Sequence, residues 1–162
     1  MLRALDLGLL RLLRSRGHAP ALERAVQVFS RAGEHGALWQ ALCAAGLALD
    51  PPRRPLYRRT MRTVMLAYLA NIALKYVVRR PRPVLAGLPA LSSTVTSLPY
   101  PSAHSTTSFA AARTLSRGLP AGPPYAVAAA MALSRPYLGV HWPSDVAAGA
   151  LLGTAMAELL AP

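Results

Sequence analysis

The stretch SRPYLGVHWPSD, residues 134–145, lies between two Ala-rich apolar runs. A helix is expected upstream over about 124–134, and another downstream over 143–160, with Pro143 suited to a first helical position. Neither run carries much charge, whereas the joint between them carries Arg135, His141 and Asp145. The residues able to do chemistry therefore sit outside the apolar runs.

Two more groups share that placement. KYVVRRPRP, residues 75–83, closes a helix expected over 60–78, whose middle from 63 to 74 is uncharged and which Pro81 and Pro83 end. PSAH, residues 101–104, opens a helix expected over about 102–117. The segment 84–103 before it is charge-free but rich in Gly, Pro, Ser and Thr, and reads as a loop rather than a span. The three groups supply Lys75, Arg82, Ser102, His104, Arg135, His141 and Asp145. Further upstream, 37–49 is a compact apolar helix stopped by Asp50-Pro51-Pro52, 51–59 a Pro- and Arg-rich loop, and 20–34 a short charged helix. Over 2–14, Leu2, Leu5, Leu9, Leu12 and Leu13 share one helical face and Arg3, Arg11 and Arg14 the opposite one, with Leu7 and Leu10 out of pattern. That predicts an interfacial helix rather than a signal peptide, since no small-residue cleavage site follows.

Composition narrows the class. The chain has 162 residues, 53% hydrophobic and 15% charged, with a net charge of +12. So much apolar residue excludes a disordered basic tail, and the lone Cys43 excludes a disulfide scaffold. Soluble domains carry about 25% charge, so two classes remain: a basic nucleic-acid binder, or a membrane protein with charge at its edges. Seventeen of the 18 basic residues are Arg, gathered at 3–31, 53–62, 75–82 and 113–117, with Arg135 alone. Arginine at the ends of short membrane helices gives that grouping; a nucleic-acid fold interleaves basic and apolar residues more evenly. No run reaches the usual span of about 20 apolar residues, but Ala-rich helices with Gly149 and Gly153 can pack closely.

The expected fold is all-α: an integral membrane bundle of about five short spans, 36–50, 60–78, 104–118, 123–135 and 144–160. Residues 1–34 are expected to form amphipathic interfacial helices, and 35–162 the membrane-embedded domain. Alternating spans place all three motifs at one end, in a multi-pass protein of the cell membrane. Arg53, Arg54, Arg58, Arg59 and Arg62 would anchor the other end inside, whereas the N-terminal arginines argue for the reverse.

A transferring phosphoryl group carries charge on three equatorial oxygens and needs cationic and N–H donors around it. Lys75, Arg82 and Arg135 can supply the charge, with Ser102 and the Ala103 amide at a helix amino end.

The order and spacing of these residues resemble the type 2 phosphatidic acid phosphatase (PAP2) superfamily, which also includes vanadium haloperoxidases. The matching elements are Lys75, six residues, then Arg82-Pro83; Pro101-Ser102-Ala103-His104; and Ser134-Arg135 with His141 and Asp145 at the family spacings. The resemblance implies a PAP2/haloperoxidase-like core, His141 as nucleophile, Asp145 as its orienting carboxylate and His104 as general acid, then base. It places Lys75, Arg82, Ser102, Ala103 and Arg135 around the phosphate. The family glycine is Ala103 here, which keeps the N–H provided the backbone is not left-handed. No cofactor or metal is implied: Asp145 is the only acid in sequence near the three motifs, too few for a two-metal site.

GLPAL, residues 87–91, and TVTSLPYPSAHSTTSFAAAR, residues 94–113, resemble small actinobacterial members of the family. That implies a polyprenylphosphoryl-phosphoribose as substrate. Prenyl diphosphate, phosphatidic acid and phosphatidylglycerophosphate are the alternatives, and a basic non-catalytic membrane or nucleic-acid-binding protein is the alternative of another class. The implied partners are the lipid phosphate itself and anionic lipids around the basic ends, with no nucleic acid. Arg79, Arg80, His18 and His35 are read as structural or lipid-facing, and Ser134 as supporting.

Overall fold

Seven α-helices follow one another in the computed structural model, which describes residues 2–160. Met1, Ala161 and Pro162, the ends of the expected two-part division, lie outside the described residues, as does the Leu2 side chain. The helices are α1 (Leu2–Ser15), α2 (Pro20–Ala32), α3 (Ala37–Leu49), α4 (Arg54–Val78), α5 (Ala103–Leu115), α6 (Gly122–Tyr137) and α7 (Pro143–Leu160). Short 3-10 turns, Glu34–Gly36 and Pro51–Arg53, precede α3 and α4.

Local sequence sets most boundaries. Proline stands in the first turn of α2, α4 and α6, where a missing N–H leaves no bond unmade. Ser102 caps α5, its hydroxyl accepting from the Ser105 amide. Arg79 ends α4 in a left-handed conformation, φ 48°, with its amide on the Lys75 carbonyl. Two boundaries differ from expectation. The loop expected over 51–59 is helical from Arg54, because Pro55 initiates a helix rather than breaking one. The helix expected to stop at Ser134 runs to Tyr137, so Arg135 keeps helical phase with the buried Ala128, Met131 and Ala132.

The extension makes α4 a helix of 25 residues, about 37 Å at about 1.5 Å per residue, against a hydrocarbon core of about 30 Å. With its leading turn, Pro51–Val78, it is the one helix among the described residues long and apolar enough to cross a membrane.

Helix α5 is the axis of the bundle. Ala110, Ala111, Ala112, Thr106, Thr107, Ser108, Thr114 and Leu115 are all buried, with α4, α6 and α7 packed around them. Its threonines return their hydroxyl protons to carbonyls one turn back, and Thr106 Oγ1 also accepts from Asn71 of α4 at 2.9 Å. Glycines set the α5–α7 spacing. A Cβ at Gly149 would lie 2.5 Å from the Ser102 carbonyl oxygen, and one at Gly153 2.1 Å from that of Thr106. A second cluster, Trp39, Cys43, Tyr57, Val64 and Leu115, joins α3 to α4 and α5, with Trp39 Nε1 donating to Ser108 Oγ at 2.9 Å.

Helix α1 has a buried face as well as an exposed leucine face. Leu10, out of pattern in the sequence, is fully buried, and so are its helix neighbours Asp6 and Arg14. Arg14, expected on the outer polar face, instead donates to the Pro89 and Tyr137 carbonyls at 2.7 and 3.3 Å. The inward face of α1 is thus Asp6–Leu10–Arg14, one residue per turn, while Leu5, Leu9 and Leu12 face outward.

Candidate active site

The end of α4, the start of α5 and the α6–α7 joint meet at one end of the bundle. Three contacts tie them: Ser102 N to the Asp145 carbonyl at 2.9 Å, Lys75 Nζ to the Pro101 carbonyl at 2.7 Å, and Arg82 Nη1 to the Val140 carbonyl at 2.5 Å. Between them lies a cavity of about 60 Å³, well above the about 10–15 Å³ that admits one water. Lys75, Arg82, Ala103, His104, Arg135 and His141 line it, together with the 3-10 turn at Glu34 and His35, Tyr68 and Ile72 of α4, and 93–96 of the loop.

The sequence-derived residues divide into those on the cavity and those behind it. Arg135 is buried, with Nη1 donating to Ser30 Oγ and Nε without any partner. A buried, unmatched guanidinium donor beside a cavity is what an anion would satisfy. Arg82 straddles the site, donating from Nε and Nη2 to the Thr96 carbonyl at 3.0 and 2.8 Å. Burial lowers its pKa to about 10, so it stays cationic at neutral pH.

Lys75 departs from expectation. Its ammonium borders the cavity, but it donates to the Pro101, Leu98 and Pro99 carbonyls at 2.7, 3.0 and 3.3 Å. An ammonium has three protons, so Lys75 braces the loop and acts on the cavity through its charge. Ser102 departs further: it is fully buried behind the cavity, its hydroxyl caps α5 and its amide goes to Asp145. Ala103, at the first position of α5, presents the free helix amino end instead. Its backbone is α-helical, so alanine in place of glycine introduces no left-handed strain.

His104 Nε2 lies 2.9 Å from the Ser30 carbonyl oxygen. A carbonyl only accepts, so the proton is on Nε2 and Nδ1 is the nitrogen left for exchange. His141 is buried, with Nδ1 3.7 Å from Asp145 Oδ2 and no hydrogen-bond partner. The expected orienting bond is therefore not made in this structure. The carboxylate is instead held by other donors, Oδ2 accepting from the Trp142 amide at 2.9 Å and Oδ1 from Arg80 Nη1 at 2.6 Å. Burial, then the charges of Arg135, Arg82 and Lys75, push the His141 pKa well below the usual imidazole value. A neutral imidazole with Nδ1 towards a carboxylate leaves the Nε2 lone pair for attack.

Several residues of this region were not evident in the sequence. Arg80, read as structural or lipid-facing, bridges Asp145 and Asp6, the latter at 2.7 Å, and lies over the Trp142 ring at 5.4 Å. Asp6 also accepts from the Ser144 amide at 2.8 Å, so an acid from α1 holds the start of α7. Burial works to raise its carboxyl pKa, but the bonds from Ser144 and Arg80 outweigh it and hold it below the usual range. Asp145 is thus not the only acid near the motifs: Asp6 stands behind it and Glu34 is on the cavity. His35 also lines the cavity, φ 54°, with Nδ1 2.6 Å from the Tyr68 hydroxyl. The helix periodicity of Asp6, Leu10 and Arg14 was the available signal for α1; nothing local marks Ser30 or Glu34. His18 and Arg79 stay outside, His18 paired with Glu23 at 3.0 Å and Arg79 on the Tyr76 carbonyl at 2.9 Å. No group of three or more His, Cys, Asp or Glu suited to a metal occurs among the described residues.

An anion-seeking cavity with two imidazoles, set at one end of a helical bundle, defines a phosphate-handling membrane protein, and the chain belongs to the PAP2 superfamily, whose model matches residues 59–161. It is a membrane phosphohydrolase of that type. The chain is 39% identical over 132 residues to the decaprenylphosphoryl-5-phosphoribose phosphatase of Mycolicibacterium smegmatis, covering 80% of this chain and 72% of that protein. It is 35% identical over 143 residues to the protein of the same name from Mycobacterium tuberculosis, covering 87% and 80%. The crystal structure of Aquifex aeolicus LpxE superposes with a TM-score of 0.81 at 27% identity, over 96% of this chain and 93% of that one. A transmembrane PAP2-type phosphatidylglycerolphosphate phosphatase from Bacillus subtilis, at 22% identity and a TM-score of 0.55 over 98% and 94%, shares the fold.

Proposed function

We propose that this protein removes the terminal phosphate from a polyprenylphosphoryl-phosphoribose, by way of a phosphohistidine on His141. The observation that carries the reading is the cavity with its unmatched Arg135 Nε and the neutral His141 beside it. The names of the mycobacterial relatives support the choice of substrate.

His141 Nε2 attacks phosphorus as the ester P–O bond breaks, and His104, which takes up a second proton once the bound phosphate dianion offsets the cations around it, gives its Nδ1 proton to the departing sugar oxygen. Water then attacks the phosphohistidine, His104 Nδ1 takes a water proton, the P–N bond breaks and inorganic phosphate leaves. Lys75, Arg82, Arg135 and the Ala103 amide stand around the phosphoryl oxygens where charge accumulates. Asp145 steadies the imidazolium character of His141 as it forms a bond to phosphorus. The fixed cations supply the charge stabilisation, so no step calls for a metal or another cofactor.

The rim suits a hydroxylated head group. Glu34, His35, Tyr68, Ser93 and Thr94 offer acceptors and hydroxyls to the ribose hydroxyls, where the head group of phosphatidic acid has no hydroxyl to offer in return. Below Tyr68 and Ile72, the exposed Met65, Leu66 and Leu69 of α4 give the prenyl chain an apolar path.

The proposal includes five spans, 36–50, 60–78, 104–118, 123–135 and 144–160, in a multi-pass protein of the bacterial cell membrane. Outward Leu42, Leu49, Leu133, Leu151 and Leu159 support that reading. Residues 1–34 then lie at the interface beside the domain 35–162, with Leu5, Leu9, Leu12, Leu22 and Val28 towards lipid. Arg53, Arg54, Arg58, Arg59 and Arg62 meet anionic head groups at the opposite end.

The test is phosphate release by purified protein in detergent, from polyprenylphosphoryl-phosphoribose, prenyl diphosphate, phosphatidic acid and phosphatidylglycerophosphate. The phosphoribose lipid is expected to be the best substrate by kcat/KM. A preference for a diphosphate or a glycerolipid refutes the substrate assignment.

A further inference from the structure

Ser30 is the one buried residue of α2, and both of its polar ends reach the site. Its carbonyl lies in the last turn of α2, where carbonyls lack partners within the helix. That oxygen accepts from Gly33 N at 3.0 Å and from His104 Nε2 at 2.9 Å. Its hydroxyl accepts from Arg135 Nη1 at 2.5 Å. Ser134 Oγ, 3.4 Å away, gives its own proton to the Met131 carbonyl at 2.6 Å, which leaves it free to take the Ser30 proton. The chain of bonds therefore runs in one direction, from the guanidinium through two hydroxyls to a carbonyl.

The approach of α2 is itself built in. A Cβ at Gly33 would lie 2.5 Å from Met131 Sδ and 3.0 Å from His104 Cδ2, so only glycine lets the end of α2 rest against the imidazole. Ser30 and Gly33 precede the residues that the family model matches, 59–161.

We propose that Ser30 is a positioning residue for Arg135 through its hydroxyl, next to a main-chain carbonyl that meets His104, which makes α2 a working part of the site as well as an interfacial helix. The carbonyl holds the His104 proton on Nε2 and turns Nδ1 towards the cavity. The hydroxyl fixes one arm of the Arg135 guanidinium, leaving Nε to the phosphate. The proposal rests on the roles given to His104 and Arg135 under the proposed function.

The test compares S30A, S30T and wild type, each also in an R135K background, in detergent. Three quantities are read: kcat and KM for the phosphoribose lipid, inhibition by orthovanadate, which mimics a five-coordinate phosphoryl group, and the unfolding temperature. S30A is expected to lower kcat on the order of 10-fold, with KM changed by less than about 2-fold, and to weaken vanadate inhibition similarly. S30T keeps the hydroxyl and is expected to restore most of both. In the R135K background the S30A loss should shrink below about 2-fold, because the partner geometry is already gone. An unchanged kcat and vanadate inhibition in folded S30A overturns the proposal, and so does a full S30A loss that persists in R135K. H141A separates the two readings: if it still releases phosphate, the phosphohistidine reading fails whatever Ser30 does.

Discussion

Substituting Gly153 by alanine should damage the active site from a distance. The added Cβ would sit 2.1 Å from the Thr106 carbonyl oxygen and 2.9 Å from Ala110 N, both backbone atoms of α5. Neither can rotate away. A carbon and a carbonyl oxygen settle at about 3.3 Å, so α7 must retreat by about 1.2 Å at that point. Overpacking of this kind costs about 1–3 kcal/mol. The same interface carries the Ser102 amide to Asp145 carbonyl bond, and it sets Asp145 and His141 relative to His104 and Ala103. A shift of about 1 Å between groups that must act together lowers rate by as much as about 100-fold. G153A is therefore expected to unfold at a lower temperature in detergent and to lose on the order of 10- to 100-fold in kcat. Thermal unfolding and phosphate release on the same preparation check both. Wild-type stability and kcat in G153A would refute the inference that a backbone-to-backbone contact between α5 and α7 sets the site.

Two further outcomes follow from buried charge. His141 is held neutral, with a folded pKa well below the about 6.5 of the unfolded chain, so below that pH the unfolded state takes up a proton that the folded state refuses. Stability is then lost as pH falls below about 6.5, at up to about 1.4 kcal/mol per pH unit, and H141N should flatten that slope in unfolding measured from pH 7.5 to 5. Removing Asp6 strips Arg80 of one partner and the Ser144 amide of its acceptor, so D6A should lose about 1–3 kcal/mol and expose α1 to limited proteolysis before the rest of the chain.

The inner residues of the site were legible in the sequence because their chemistry is unusual there. Charged residues are scarce among the apolar runs, and Lys75, Arg82, His104, Arg135, His141 and Asp145 fall at the joints between them. What those residues touch was not legible. Nothing in KYVV announces that the Lys75 protons go to three carbonyls of a loop more than twenty residues away, or that Ser102 turns from the cavity to cap its helix. Ser30, Glu34 and Arg80 belong to common residue types with no local pattern, and acquire meaning only when α2 and the 3-10 turn fold against the cavity and Arg80 meets α1 and the start of α7. Leu10 shows the limit of periodicity: it fell out of the leucine pattern of α1, yet the tertiary fold buries it with Asp6 and Arg14 on a face opposite the exposed Leu5, Leu9 and Leu12. Proline signals worked at stops such as Pro51-Pro52 and misled at Pro55, since the same residue that ends one helix begins the next.

The central claim is a covalent phosphate on His141. Rapid quench of the wild-type protein with substrate labelled in its terminal phosphate, followed by digestion and sequencing of the labelled peptide, tests it most directly. The account predicts label on His141, stable in base and labile in acid, and absent from H141N. Steady phosphate release without any labelled protein, or label on a residue other than His141, would contradict it.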